Sequence, residues 1–472
     1  FGPDHPSTLA SAYNLAGLYQ TQRRFAESEA LYLRSLNGVE RVLGRDHPVT
    51  LSLVRSLAVL YHIQARYEEA ERLYRRALDA WERTLGPNSF DTLVAAGNLA
   101  VLLQATGDYD EAEILFVRSL KGLESSLGRD HRATLTAAAN LGGFYHARGR
   151  YDDAEPLKRR VFEGRERILG PDNQETLIAA NNLALLYRDQ GRFDDAEALF
   201  LNSYNRLEAT LGPDNGSTLI AASNLASLYH VRRRYAEAEK LYRRAFEGSE
   251  RAYGADHPAT LTGASNLAGV YMNQGRYEEA EPLYRRAYEG SVRANGPMHQ
   301  STLLGLNNLA VLYQKQGRYA EAEPLLLRAL DGFLKVHGAD HPLTFVTISN
   351  LAELYRSQGL YEKAEPYYLT LLEGRERVLG AKDPSTLNTI KNYFIWRENA
   401  SPARLASQWA GDARAMRLLD TSLADFSGYL SAGADVARLD DPTSVESRSV
   451  ELLTAFERAR LAGVPGDRKS VV

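Results

Sequence analysis

The chain has 472 residues, no cysteine and a formal net charge of −4, with 56 Lys and Arg against 60 Asp and Glu. That length exceeds what one compact core usually organises, so several domains or a repeat array are expected. The missing cysteine excludes disulfide frameworks, zinc–thiolate sites, iron–sulfur clusters and thiol nucleophiles and suits a cytoplasmic location; the near-balanced charge offers no phosphate-tracking surface for nucleic acid, and no run reaches the roughly 18 apolar residues that cross a bilayer.

The opening Phe1-Gly2-Pro3-Asp4-His5-Pro6 has no Met, basic stretch or apolar core of a leader and reads as the middle of a repeat, so a longer parent chain is expected. From Thr8 onward the same residues return every 42 positions. Thr returns through to Thr386, and a Leu followed by Ala or Gly runs from Leu15-Ala16 to Leu351-Ala352. An aromatic follows at Tyr19, Tyr61 and on to Tyr355, with Leu103 the one departure. Glu recurs from Glu29 to Glu365 and Gly from Gly44 to Gly380. Periods in the 20–50 residue range signal stacked supersecondary units.

Each unit predicts two helices. In the fifth, Leu177, Ala180, Leu183, Ala184 and Tyr187 are spaced by three and four over 176–189, an amphipathic helix A. Gln190-Gly191-Arg192 is the turn, with Gly191 suited to a left-handed helix end; Arg23, Ala65 and Arg233 replace that Gly and predict mild strain. Phe193, Ala196, Leu199, Phe200, Tyr204 and Leu207 mark helix B, which ends before Gly212. Pro6, Pro48, Pro258 and Pro342 suit the first turn of the next helix A, where no amide donor is needed. Ala184 and Ala196 are small so that the two helices can cross closely. Nine such hairpins are followed by a last helix A from about Ser385 to Trp396 and a break at 398–402. The organisation expected is a repeat array over 1–399 and a C-terminal segment over 400–472, with helices at 403–419, 422–431 and 443–462 that cap the last hairpin or form a docking or dimerisation element.

Leu183-Ala184, Tyr187, Gly191, Phe193, Ala196 and Phe200 resemble, in order, the tetratricopeptide pattern, with Ala180 where a large aromatic is usual. The 42-residue period and strings such as NLAxLY and GRYxEAExLY are similar to the repeats of kinesin light chains and their relatives; no heptad segment is present to join a motor heavy chain. The resemblance, which covers about residues 1–399, implies an all-α, right-handed superhelical solenoid, to which the C-terminal helices would add a helical cap. It implies a non-catalytic protein–protein interaction scaffold that holds a peptide or partner in its concave groove. The alternative is the sensor arm of a larger signalling NTPase or effector enzyme, and self-assembly is a third reading. Oligomeric state stays open.

Helix A carries one recurring polar residue: Asn14, Asn98, Asn140, Asn182, Asn224, Asn266, Asn308, Asn350 and Asn392. An amide can donate and accept, so such a ladder can match the backbone of an extended peptide. The resemblance implies peptide contacts at these positions; the competing reading is that each Asn bonds a neighbouring helix. The same register contains Tyr13, Arg55, His62, His146, Asn181, Arg188, His230, Met272, Asn307, Gln314, Lys315 and Arg356. Arg55, Arg188, Lys315 and Arg356 outnumber Asp189 and Glu353 and favour an acidic peptide. His62, His146 and His230 lie two repeats apart and do not read as a metal set, because zinc ligands must all reach one ion. Glu29 and its equivalents read as structural partners of Arg residues such as Arg192 and Arg276. No phosphate loop, nucleophile elbow or kinase motif is present, so neither an enzyme nor a cofactor is expected.

Overall fold

The computed structural model describes residues 2, 5–380 and 383–399. It divides into two compact units, Phe1–Arg276 and Tyr277–Val472. In the first unit the helices are α1 (Pro6–Thr21), α2 (Phe25–Leu43), α3 (Pro48–Ile63), α4 (Tyr67–Leu85), α5 (Phe90–Thr106), α6 (Tyr109–Leu127), α7 (Arg132–Ala147), α8 (Tyr151–Leu169), α9 (Gln174–Asp189), α10 (Phe193–Leu211), α11 (Gly216–Val231), α12 (Tyr235–Tyr253) and α13 (Pro258–Asn273). The second has α14 (Tyr277–Asn295), α15 (Gln300–Lys315), α16 (Tyr319–His337), α17 (Pro342–Ser357), α18 (Tyr361–Leu379) and α19 (Pro384–Asn399). Among the described residues every regular element is helical. Odd-numbered helices are helix A of their repeat and even-numbered ones helix B. The helices expected at 403–419, 422–431 and 443–462 lie outside the described residues. α19 runs through Asn399, and residues 400–402 of the expected break lie outside the described residues.

The repeating residues build the same joints in most repeats. His47 caps α3 by accepting from the Val49 amide at 3.3 Å, and His5, His131, His257, His299 and His341 cap their helices in the same way. The Arg192 amide bonds the Tyr187 carbonyl at 2.8 Å around Gly191, whose φ is +77°, which closes helix A with a left-handed residue. Arg23, Ala65 and Arg233 take the same conformation at φ +59°, +58° and +58°, so the sequence-level expectation of strain holds. At the other end of the hairpin, Thr50 Oγ1 donates to the Gly44 carbonyl at 2.8 Å, and Thr92, Thr260, Thr302 and Thr344 repeat the bond. Thr134 instead donates to the Leu123 carbonyl at 3.3 Å, and the Thr176 and Thr218 hydroxyls are buried without a hydrogen-bond partner.

Burial comes from stacking rather than from single hairpins. Leu57 and Leu60 of α3 are 2% and 0% exposed, while the equivalent Leu15 and Leu18 of α1 are 38% and 51% exposed. Within the first unit α3 packs between hairpins on both sides, and that stacking closes over its stripe. Ala184 and Ala196 are fully buried, as their small size predicted.

Candidate functional site

A polar seam ties each hairpin to the next. Glu29 of α2 accepts from the Tyr61 hydroxyl at 2.9 Å and from Arg66 at 2.8 Å, and the Arg66 guanidinium lies 4.0 Å from the Tyr61 ring centre. The same triad recurs as Glu113–Tyr145–Arg150, with Tyr145 and Arg150 both donating to Glu113 at 2.8–3.0 Å. Glu155–Arg192, Glu197–Arg234 and Glu239–Arg276 continue it in the first unit, and Glu281–Arg318 carries it in the second. Arg192 and Arg276 are therefore the partners of the recurring Glu, and each bond reaches forward into the next repeat. Between the second and third hairpins Leu103 and Asp108 replace the Tyr and the Arg. There Arg75 grips Glu111 through two bonds of 2.7 Å instead. These carboxylates are structural.

The recurring Asn residues divide into two groups. Asn224 donates to the Asn181 carbonyl oxygen at 3.1 Å, and Asn350 to that of Asn307 at 3.0 Å. Both bonds run between neighbouring odd helices across 43 residues, as does the contact of Tyr13 with Ser56 at 3.2 Å. Asn181 and Asn307 are 5% and 4% exposed, so these two are bracing residues and not part of a variable exposed register. The side chains of Asn98, Asn140, Asn182, Asn266 and Asn308 make no hydrogen bond among the described residues. For Asn140 and Asn182 the reason is simple: the positions 43 residues earlier are Gly97 and Ala139, which offer no side-chain acceptor. Asn182 is exposed, and Asn98, Asn140, Asn266 and Asn308 are half-buried.

The basic positions fare unequally. Arg188 is paired with Asp189 at 2.7 Å, and Arg356 with Glu353 at 2.5 Å. Arg55 and Lys315 make no ion pair among the described residues, Arg55 half-buried and Lys315 exposed. Pairing thus leaves two of the four cations, Arg55 and Lys315, to carry the excess of positive charge read from the sequence. His62, His146 and His230 each pack edge-on against the aromatic that opens the following helix B, Tyr67, Tyr151 and Tyr235. His230 also contacts Asn273 Nδ2 at 2.5 Å.

One residue that sequence reading passed over lies among them. Helix B carries an aromatic at Tyr32, Tyr74, Phe116, Phe200, Tyr242, Tyr284 and Tyr368, with Leu326 at the equivalent place in α16; in α8 the position is Lys158. The Tyr32 hydroxyl reaches Gln20 on helix A at 3.1 Å, and Lys158 sends its ammonium to the matching place. Lys158 Nζ lies 2.8 Å from His146 Nδ1 and donates to the Asn182 carbonyl at 3.1 Å. His146 Nε2 lies 2.8 Å from Asp189 Oδ2. An ammonium donating to Nδ1 leaves the proton of a neutral imidazole on Nε2, where it faces the carboxylate. Asp189 is gripped from its other side by Arg188, which continues to Ser227 Oγ at 2.6 Å. The chain Lys158–His146–Asp189–Arg188–Ser227 thus links α7, α8, α9 and α11. Burial pushes the Lys158 ammonium down to about 8, with Asp189 opposing that shift. Asp189 stays below the usual carboxylate range: burial works against ionisation, but hydrogen bonds from His146 and Arg188 outweigh it. The sequence signal for this cluster was the broken aromatic column.

The tetratricopeptide repeat model matches residues 7–83, 51–125, 91–167, 133–209, 175–242, 217–291, 261–335 and 300–377. The chain belongs to the tetratricopeptide repeat family. Repeats of this family are protein-interaction scaffolds. Among solved structures it is similar to the kinesin-light-chain TPR-like repeats of Podosopora anserina, at 23% identity over 43% of this chain and 97% of that one, with a TM-score of 0.37. BtubC (BKLC) of P. vanneervenii is 24% identical over 49% of this chain and 91% of that one, with a TM-score of 0.39. A Rap protein solved with competence and sporulation factor covers 79% of this chain and 99% of its own, at 11% identity and a TM-score of 0.52, a likeness of fold. Among curated proteins none matches. No described helix is long and apolar enough to cross a membrane.

Proposed function

We propose that the face formed by the odd-numbered helices of the first unit holds an extended segment of a partner protein. The observation that carries this reading is the group of unbonded amides. Asn98, Asn140, Asn182 and Asn266 keep their hydrogen-bonding capacity, while Asn224 spends its own on bracing. An extended peptide backbone presents alternating donors and acceptors, which primary amides can satisfy without reading side chains. Arg55 supplies unpaired positive charge on the same helices, so the segment favoured is acidic. Catalysis is no part of the proposal.

The test replaces Asn140, Asn182 and Asn266 together by Ala and compares partner capture with wild type. Wild-type helicity and melting must first be shown for the variant. Loss of a partner that wild type holds, with Asn308→Ala retaining it, is the expected result. Equal capture by all three proteins places recognition elsewhere.

A further inference from the structure

Lys158 is an anomaly in three respects. It stands in an aromatic column, it is 7% exposed, and it makes no ion pair among the described residues. Lysine is almost never buried without a counter-charge, because desolvating an ammonium is costly. Asp189, the carboxylate whose charge acts on it, makes no direct bond to it and is held by His146 and Arg188. An ammonium has three donors; His146 Nδ1 and the Asn182 carbonyl occupy two, and the third has no acceptor among the described residues. The site is also built to receive this side chain. Every other full repeat has Ala after its recurring Leu, but the fourth has Gly142, where an added Cβ would lie 3.2 Å from Leu157 Cβ and 3.3 Å from Lys158 Cγ. Asn182, whose backbone carbonyl accepts from Lys158, has an exposed, unbonded side chain, and an added Cβ at Gly143, next to Gly142, would meet nothing within 4 Å.

We infer that Lys158, presented between α7 and α9 by His146 and the Asn182 carbonyl, is a specificity position that takes one carboxylate side chain of the bound segment. The inference rests on the proposed use of this face and names the group read at hairpins four and five. The carboxylate supplies the missing acceptor and counter-charge, and Asn182 Nδ2 can donate to its second oxygen. Because the ammonium is already held down by burial, an arriving carboxylate raises its proton affinity, so binding at mildly alkaline pH draws a proton from solvent. The other titratable and charged groups of this cluster are His146 on α7, Tyr151 of α8 against its ring, Arg188 and Asp189 on α9, and Tyr242 of α12 beside Arg188, pushed up to about 12 by burial.

The experiment titrates the full chain with blocked hexaglutamate by calorimetry, with hexaglutamine as the uncharged control. Wild type is compared with Lys158→Tyr, which restores the residue type of neighbouring repeats, and with the triple Asn variant. Near neutral pH wild type should bind hexaglutamate about tenfold more tightly than Lys158→Tyr, the size of one charge-assisted hydrogen bond. The gap should close as pH rises well past the Lys158 value of about 8. Repeating the titration at mildly alkaline pH in two buffers of different ionisation enthalpy should show proton uptake in wild type and none in Lys158→Tyr. Equal affinities, a gap unchanged by alkali, or no wild-type binding of hexaglutamate overturns the inference. Binding that survives the triple Asn change but not Lys158→Tyr upholds the carboxylate site while removing the backbone-reading role of the amides.

Discussion

The seam between hairpins and the helix A face of α7, α9 and α11 are built on opposite principles. The seam repeats: a Glu, an Arg and usually a Tyr recur in phase, and their bonds recur with them, from Glu29–Arg66 to Glu281–Arg318. The face varies: its side-chain chain runs Lys158–His146–Asp189–Arg188–Ser227 and occurs once. Identical residues in every repeat serve what every repeat must do, which is to stack. A residue that departs from its column is free to serve something else, and it carries a stability cost if its column was structural. Substitutions on the two sides should therefore behave differently.

The largest effect belongs to the periodic side. Ala196 is fully buried where helix B crosses helix A, so Ala196→Leu forces the helices apart and should lower stability by about 3 kcal/mol. A urea titration of the full chain followed by circular dichroism reads it, and a midpoint unmoved by the change would mean that the crossing tolerates bulk. Lys158→Tyr should act in the opposite direction. Replacing a buried, unpaired ammonium by the aromatic of the neighbouring repeats should raise stability near neutral pH by about 2 kcal/mol. The sign follows from linkage. The folded-state pKa, about 8, is below the ordinary 10.5, so the unfolded chain binds more protons between those values. The penalty is complete below about 8 and fades as pH rises through 10.5, so wild-type stability should climb across that window and the gap to Lys158→Tyr should narrow. A stabilising change that abolishes carboxylate binding would separate function from structure at one residue; a destabilising one would return Lys158 to the structural side.

Most of the scaffold was legible in the sequence because its causes are local and repeated. The 3.6-residue spacing gave the helices, Gly191 and its equivalents the turns, and the small Ala columns the crossings. The role of Glu29 as a partner for Arg was readable, but not that the bond crosses to the next hairpin, because that depends on how hairpins stack. The division of the Asn residues was hidden for the same reason. Whether an Asn braces is decided by the residue 43 positions earlier, an offset set by the packing of odd helices side by side. The boundary of the compact units at Arg276 and Tyr277 has no mark in composition, since the repeat runs through it unchanged. Lys158 was visible as a broken column, and its meaning needed its neighbours.

The Asn residues give a matched pair of smaller effects. Asn224→Ala leaves the carbonyl oxygen of a 5%-exposed Asn181 without its donor and should cost about 1 kcal/mol. Asn140→Ala removes a side chain with no bond among the described residues and should stay within about 0.5 kcal/mol of wild type. Equal melting temperatures for the two variants would erase the distinction between bracing and reading amides.

The seam itself makes the smallest and most distributed contribution. Burial of Glu155 opposes its ionisation, yet bonds from Arg159, Gln190 and Arg192 hold its carboxyl at about 2. Glu239 and Glu281 are lowered by the same kind of partners, Arg243 with Arg276 and Arg285 with Arg318, again against burial. A depressed carboxylate contributes stability above its ordinary value of 4.5 and loses it as pH falls toward the folded value, so the seam should weaken between about 4.5 and 2. Glu155→Gln removes one link; at neutral pH it should cost at most about 1 kcal/mol, since these pairs are partly open to solvent. Its more telling signature is a shallower loss of stability in acid, measured as the melting temperature from pH 6 downward. If wild type and Glu155→Gln lost stability in parallel through that range, the Glu155 link would be a contact without energetic weight, and stacking would rest on the apolar stripes alone.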